Sequence, residues 1–353
     1  MRALVALLLL PAACAGQAGQ RAAPPPTPGP PAQEAPPITV AGAFPVGWAT
    51  VKDLGQDGTT GGGARPGVRV QSDSELFDAL AGAEPRNILL MRPVNGTFEV
   101  GSNKTLIGAP GAILHDSLSF NGSVNVVVRN LKIVGYNCSD SEECKKGHDA
   151  VTLAGEAHHI WFDHCDISDG SDGNFDITEG SDYVTISWTK FSYSGRRTGA
   201  HQYSNLLGNA DTAGDTDKGH IRVTFHHDWW ANNVDERMPR VRFGQVHVFN
   251  SLYTATGNRY CIGLGAGASI LVENNVFVGV KNPLNTTHYA DDSSVLVARG
   301  NLFVQTAGTA DSRGTAVFTP PYRYTLEPAD VVRAEVMSGA GVPGAAGAGE
   351  DDE

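Results

Sequence analysis

Three aspartates in one short loop, Asp169, Asp172 and Asp176, and three arginines in another, Arg237, Arg240 and Arg242, are the residues of this chain best suited to chemistry. The acidic set lies in the run 159–191, where two alternating apolar segments closed by polar residues flank a Gly/Ser-rich loop. Most aspartates in such loops form turns and caps. Clustered carboxylates also hold hard divalent cations, and Ca2+ accepts roughly six to eight oxygens in flexible geometry. The basic set alternates, so on a strand Arg240 and Arg242 face one side while Val241 and Phe243 face the other. An outward row of guanidinium groups beside an acidic loop suits a polyanion that shares a cation with the protein and is gripped by its own carboxylates. The plainer reading of the same arginines is a solvated strip, or salt bridges to Asp235 and Glu236.

The chain has 353 residues and a net charge of −12. Its length allows a sizeable core, and its charge disfavours a general nucleic-acid binder, which needs a basic face for phosphates. Arg2, the apolar run 3–10 and the small residues Ala12 and Ala13 before Cys14 have the layout of a secretory signal over residues 1–14. The run 11–14 also resembles, loosely, the lipobox of bacterial lipoproteins, although Pro11 stands where Leu is usual. The expected location is therefore outside the cell, either secreted or at the cell surface through a lipid on Cys14. Four other cysteines remain, Cys138, Cys144, Cys165 and Cys261; an exported chain permits disulfides, and Cys138 with Cys144 would close a short loop. Zinc binding by these four is the weaker idea, because no CxxC pair occurs.

Residues 15–37 are rich in Pro, Ala and Gln, an extended linker with nothing to bury, and 338–353 form a Gly/Ala tail ending in acidic residues. The folded body is expected over 38–337. Within it the spacing of Leu76, Phe77 and Leu80, with Ser72 or Asp73 as N-cap, predicts one short helix over 72–83. After it every segment reads as short strands. The segments beginning at Asn125, His159, Asp182, His220, Gln245, Ala268 and Ser294 are copies of one unit, with two strand-like runs joined at a polar corner, as at Asn130, Asn250, Asn274 and Asn301. Their spacing, near ~24 residues with two longer steps, signals a solenoid in which each coil buries its inward side chains against its neighbours. Stacked corner asparagines can satisfy turn backbone. The longer steps, between Asn125 and His159 and between Asp182 and His220, are loops on a rigid scaffold, where sites are commonly built. An all-β parallel β-helix follows, with the site on its loops.

The run 160–164 (IWFDH), the acidic pattern 172–178 (DGNFDIT), the strand 184–188 (VTISW), Leu206-Leu207-Gly208 and the run 237–244 (RMPRVRFG) together resemble the pectate lyases of polysaccharide lyase family 1. The motifs keep the family's order across most of residues 40–305. The resemblance implies a right-handed parallel β-helix and cleavage of polygalacturonate by calcium-assisted β-elimination. It implies Asp149, Asp172 and Asp176 as calcium ligands, although the further aspartate some members carry is Gly147 here. It implies Arg237 as the base and Arg242 as a substrate-binding arginine. A guanidine acts as a base only when transiently neutral, against an ordinary pKa above about 12, so neighbouring cations and substrate must favour that form. The family's substrate-binding Lys has no clear counterpart; counting on from Asp176 favours Arg196, whereas counting back from Leu206 reaches Gln202 or Tyr203.

Asp163 and His164 are expected to be structural at a coil corner. His226 and His227, adjacent on a strand, face opposite sides and so do not share a metal. Trp188, Trp229 and Trp230 are expected to pack rather than to carry sugar, with Trp230 the one best placed for sugar. Pectin lyase, which acts on methylated pectin without calcium, is disfavoured by the acidic pattern. A polygalacturonase would need a hydrolytic carboxylate set that is not found. A non-catalytic β-helix binding pectic glycans is the rival from another class, and Arg237 disfavours it. The expected partner is polygalacturonate or pectin, acted on by a monomer.

Overall fold

Runs of three to six residues with alternating apolar side chains make strands too short to stand alone, and they become stable only by stacking on copies of themselves. The computed structural model describes residues 45–136, 148–196 and 201–344. One coil consists of the strands His158–Asp163, Asp166–Ser168 and Gly173–Ile177, and Asp182–Ser187 begins the next. The ladders between neighbouring coils are parallel, with Val126, Ile160, Val184, Val223, Val246, Ile270 and Leu296 in one register. All seven are fully buried. A right-handed parallel β-helix results.

A ten-stranded sheet runs from Gly67–Val70 to Val295–Arg299, and the remaining strands form two further faces. Those two faces meet in the long strand Ile113–Asn121, whose start pairs with Lys132–Val134 and whose end pairs with Val151–Ala154. An aromatic column fills the interior: Phe191 on Trp230 at 5.7 Å between ring centres, Trp230 on Tyr253 at 4.5 Å, Tyr253 on Phe277 at 4.3 Å and Phe277 on Phe303 at 5.1 Å. Trp230 is therefore core and unavailable to sugar.

At the corner after the ten-stranded sheet, Asn130, His164, Trp188, His227, Asn250 and Asn274 all take left-handed φ, between 49° and 57°. From His164 onward, the residue after each carries the ladder. Thr189 Oγ1 accepts from Cys165 N–H, Asp228 Oδ1 from Thr189 N–H, Ser251 Oγ from Asp228 N–H, Asn275 Oδ1 from Ser251 N–H and Asn301 Oδ1 from Asn275 N–H. Turn backbone is thus satisfied as expected, but Asn130, Asn250 and Asn274 are the bend residues, and Asn301 alone of the four named corners belongs to the ladder.

Helix α1, Asp73–Leu80, is capped by Ser72, whose hydroxyl accepts from Glu75 N–H. It buries Leu76, Ala79 and Leu80 and leaves Phe77 exposed. Among the described residues two further helices correct the expectation of one: α2, Gly214–Asp217, and α3, Ala329–Gly339. Helix α3 crosses the expected boundary at 338, and it packs Val332 and Val336 on Leu252 and Val276. It ends a strap that runs back over the coils. In this strap Tyr322 Oη lies 2.8 Å from Thr224 Oγ1 and 2.9 Å from His247 Nδ1, and Glu327 backbone bonds Asn250 and Asn274. An N-terminal arm crosses the ten-stranded sheet, where Trp48 N–H donates to Thr224 and Ala49 N–H to Thr185. At Gly47, with φ 123°, a Cβ would lie 2.6 Å from Thr224, so only glycine fits. The leader, linker and Cys138–Cys144 expectations fall outside the described residues; Cys165 and Cys261 are free and buried.

Candidate active site

The segments 135–150 and 193–202 each lead from a second-face strand to a third-face strand, and their ends bring the starts of the third-face strands together, while the rest of the second long step lies after the third face, in 208–221 with helix α2. Gly173 pairs with Tyr203, and Ala150 N–H donates to Gly173 C=O, which sets Asp149 opposite Gly173. A Cβ on Gly173 would lie 2.9 Å from Asp149 Oδ1 and 3.3 Å from Asp176 Oδ1, so the two carboxylates converge over a glycine left bare. Asp172 lies next to them, half exposed, with Oδ1 2.5 Å from His201 Nδ1.

The trio is poorly compensated within the chain. Asp149 Oδ1 is buried with no hydrogen-bond partner. Asp176 Oδ1 accepts only a 3.2 Å bond from Leu206 N–H among the bonds found, and neither carboxylate forms an ion pair among the described residues. Burial, then the charge of Asp172, pushes Asp149 up to about 7. Burial and Asp149 push Asp176 well above the ordinary carboxylate range. Unpaired buried carboxylates are costly, and an oxygen-loving cation would relieve all three at once. The donor set, the orphaned oxygen and the bare cradle at Gly173 fit Ca2+.

Arg237 sits where the register slips. Tyr203 bridges Glu236, but Leu206 pairs with Arg240, so one extra residue is accommodated on that segment. Arg237 takes it up with left-handed φ of 64°, and its carbonyl receives Asn205 N–H at 2.6 Å. Its guanidinium lies 4.0 Å over the Tyr203 ring, and its buried Nε stands 3.8 Å from Glu236 with no hydrogen-bond partner. The field of Arg237 acts on both Asp149 and Asp176, which puts base candidate and carboxylates in one cleft. Arg240 stacks 3.8 Å over Tyr289, and burial with Arg242 nearby pushes it below the usual arginine range.

The remaining expected residues divide. Arg242 is buried and committed to protein oxygens, with Nε 2.5 Å from Asp211 and Nη1 2.8 Å from Gly208 C=O and 3.2 Å from Asn209 C=O. Arg196 reaches Thr256 C=O at 2.7 Å and stands 3.9 Å from Asp235, on the side of Arg259 rather than among the aspartates. Asp169 staples its loop, accepting from Ser194 N–H and hydroxyl at 3.0 Å each. Asp163 pairs with Arg129 at 2.7 Å and accepts from Ser187, and the His164 ring stacks on Trp188, in keeping with structural roles. His226 and His227 do not face apart as expected: left-handed φ at His227 breaks the strand alternation and brings their Nδ1 atoms to 2.9 Å.

Sequence reasoning did not find His201 and Arg259; it named Tyr203 only as a place reached by counting back from Leu206, and Glu236 only as a salt-bridge partner of the arginines. Arg259 pairs with Asp235 at 2.9 Å and Glu236 at 3.2 Å, beside Arg237. The signal available was the His-Gln-Tyr triplet just before the strand Tyr203–Leu207, and an acidic pair abutting Arg237.

A family profile described as pectate lyase matches residues 70–345. Pectate lyase A of Aspergillus niger is 33% identical over 296 residues, covering 80% of this chain and 84% of that protein. Pectate lyase E of Dickeya chrysanthemi is 31% identical over 344 residues, covering 81% and 86%. Among solved structures, a thermostable pectate lyase aligns with TM-score 0.70 at 21% identity, covering 84% of this chain and 96% of that one. A pectate lyase from Bacillus sp. N165 in complex with trigalacturonate aligns with TM-score 0.68 at 24% identity, covering 85% and 99%. These two likenesses concern the fold.

Proposed function

We propose, from the premise that this chain belongs to the pectate lyase family, that it cleaves unesterified polygalacturonate by β-elimination, with Arg237 as base. The observation that carries this reading is the convergence of two under-compensated carboxylates, Asp149 and Asp176, with Asp172 next to them and the field of a guanidinium that is clamped by Tyr203, Glu236 and the Asn205 backbone. Asp149, Asp172 and Asp176 would hold Ca2+, which when bound spreads the negative charge that develops next to the substrate carboxylate.

Arg237, in its neutral form, takes the proton from C5 of a galacturonate. The C5–H pair becomes the C4–C5 double bond, the C4–O bond breaks, and the departing oxygen gains a proton from water. Tyr203 and the left-handed turn fix the direction of the guanidinium, so little ordering remains when substrate arrives. Burial pushes Glu236 above the ordinary carboxylate range, opposed by Arg259 and Arg237. Arg242 acts, in this reading, by bracing the 208–211 loop or by exchanging Asp211 for a substrate carboxylate. Arg196 grips substrate only by leaving Thr256. Export, secreted or lipid-anchored at Cys14, is proposed from the leader-like run over residues 2–14.

The test is ultraviolet absorbance of the unsaturated product from polygalacturonate, with calcium and with a chelator. A rise that the chelator abolishes is expected. No rise in calcium sinks the lyase reading, and a rise indifferent to the chelator sinks the metal assignment. Faster turnover on methylated pectin would favour pectin lyase, which the acidic trio argues against.

A further inference from the structure

Away from the cleft, a second group of ligand-type side chains has no part in this chemistry. His227 Nε2 lies 2.9 Å from Glu327 Oε2 on the strap. Glu335, further along helix α3, reaches the same point. One ligand atom from each of His227, Glu327 and Glu335 lies within 4.8 Å of the other two. Glu335 Oε2 is buried and has no hydrogen-bond partner. Among the described residues neither glutamate has Lys or Arg within salt-bridge distance; His227 is the one partner. Two carboxylates this close repel unless a proton or a cation stands between them.

The histidine is already oriented. Its Nδ1 meets His226 Nδ1 at 2.9 Å, and its ring stacks on Trp188 at 4.3 Å, so Nε2 is turned to the glutamates. An imidazole fixed through its other nitrogen is the usual arrangement of a metal-binding histidine. One nitrogen and two carboxylates suit Zn2+ better than Ca2+, which favours oxygen alone.

We propose that His227, Glu327 and Glu335 bind a divalent transition-metal ion of the Zn2+ class, which pins the C-terminal strap to the β-helix. With the ion on Nε2, His227 carries its one hydrogen on Nδ1 and donates it to His226 Nδ1, and a proton held between the two glutamates leaves to solvent as the ion takes its place. Water completes the coordination. The ligands come from the coil corner, the strap and helix α3, so the ion cross-links segments about 100 residues apart.

The experiment strips the full-length chain with a chelator and titrates Zn2+ alone, by calorimetry and thermal unfolding. A saturating excess is expected to raise Tm by about 5 °C. Glu335→Ala, and Glu335→Gln as a variant that keeps the shape, are expected to abolish the rise and weaken Zn2+ binding by at least about 10-fold. Asp176→Asn is expected to leave both unchanged. The proposal is overturned if Zn2+ leaves Tm of the wild type unmoved, if either Glu335 variant keeps the full rise, or if Asp176→Asn removes it, which would put the ion among the cleft carboxylates. None of these outcomes depends on pectate cleavage.

Discussion

Asp182 and Asp176 stand on consecutive strands of the chain and meet opposite treatment. Asp182 is fully buried and wholly paired: Arg222 Nε lies 3.0 Å from both its oxygens, Arg222 Nη2 bonds it too, and the N–H groups of Tyr183 and Arg222 donate at 2.9 and 2.8 Å. Asp163 is similarly held by Arg129 and Ser187. Asp176 and Asp149 form no ion pair among the described residues, and Arg237 acts on them only through its field. Asp182 and Asp163 bring their counter-charges in the sequence, because a buried charge without one is expensive, whereas Asp228 of the corner ladder has none and burial pushes its carboxyl well above the ordinary range. A carboxylate that serves a ligand leaves that place to be filled.

Arg237→Ala should break the cleft side of this contrast most deeply, lowering kcat about 10^2- to 10^4-fold with Tm nearly unmoved; steady-state rates on polygalacturonate and a thermal scan check both. Arg129→Ala attacks the scaffold side. It leaves Asp163 buried without its arginine, with Ser187 and His164 still beside it, and should lower unfolding free energy by up to about 3 kcal/mol, read by urea denaturation, while activity per folded molecule is kept.

The pH response sharpens the contrast further. Burial, then the charge of Asp172, pushes the Asp149 carboxyl of the folded protein up to about 7, above the ordinary 3.8. Between those values the folded state holds more protons than the unfolded chain, so this group favours folding at low pH and loses that contribution as pH rises through about 7. Buried His226 and His227, held below the ordinary histidine value by burial, act in the opposite sense: their neutral folded forms make stability rise with pH up to about the unfolded histidine value. The quantity to read is therefore the difference in urea midpoint between calcium and chelator, expected to widen from pH 5 to pH 8. A difference that narrows contradicts the assignment.

Asp176→Asn should raise the unfolding free energy of the chelated protein by about 1 kcal/mol, read from its urea midpoint, by removing an under-compensated carboxylate, and should remove most of the calcium response. A fall in chelator would make Asp176 a scaffold carboxylate after all. The smallest effect belongs to His201→Ala, since a half-exposed pair with Asp172 contributes about 0–1 kcal/mol; calorimetry should find calcium affinity changed only a few-fold.

The coils were legible in the sequence because every one repeats the same inward apolar pattern, and Val184, Val223, Val246 and Ile270 fall in register as their spacing implies. The acidic pair was legible because Asp172 and Asp176 flank a strand start. What escaped depends on long-range meetings. The N-terminal arm touches Thr224 across 176 residues, and the strap reaches Thr224 across 98. No local periodicity records such contacts, and helix α3, with only Val332 and Val336 buried, has too narrow an apolar stripe to stand out. Tyr203 joined the site through the slip in register at Arg237, which is a property of two strands together. The same limit applies to Arg242, whose outward direction followed from alternation while its engagement with Asp211 did not.

The corner ladder has a direction. From Cys165 to Asn301, each backbone N–H is satisfied by a side chain one coil nearer the C-terminus, never one coil nearer the N-terminus. A chain emerging during synthesis thus always carries one open donor at its newest corner, closed only when the following coil is laid down. Growth of the helix is vectorial in this respect, and trimming coils from the C-terminal end exposes an orphan that trimming from the other end does not.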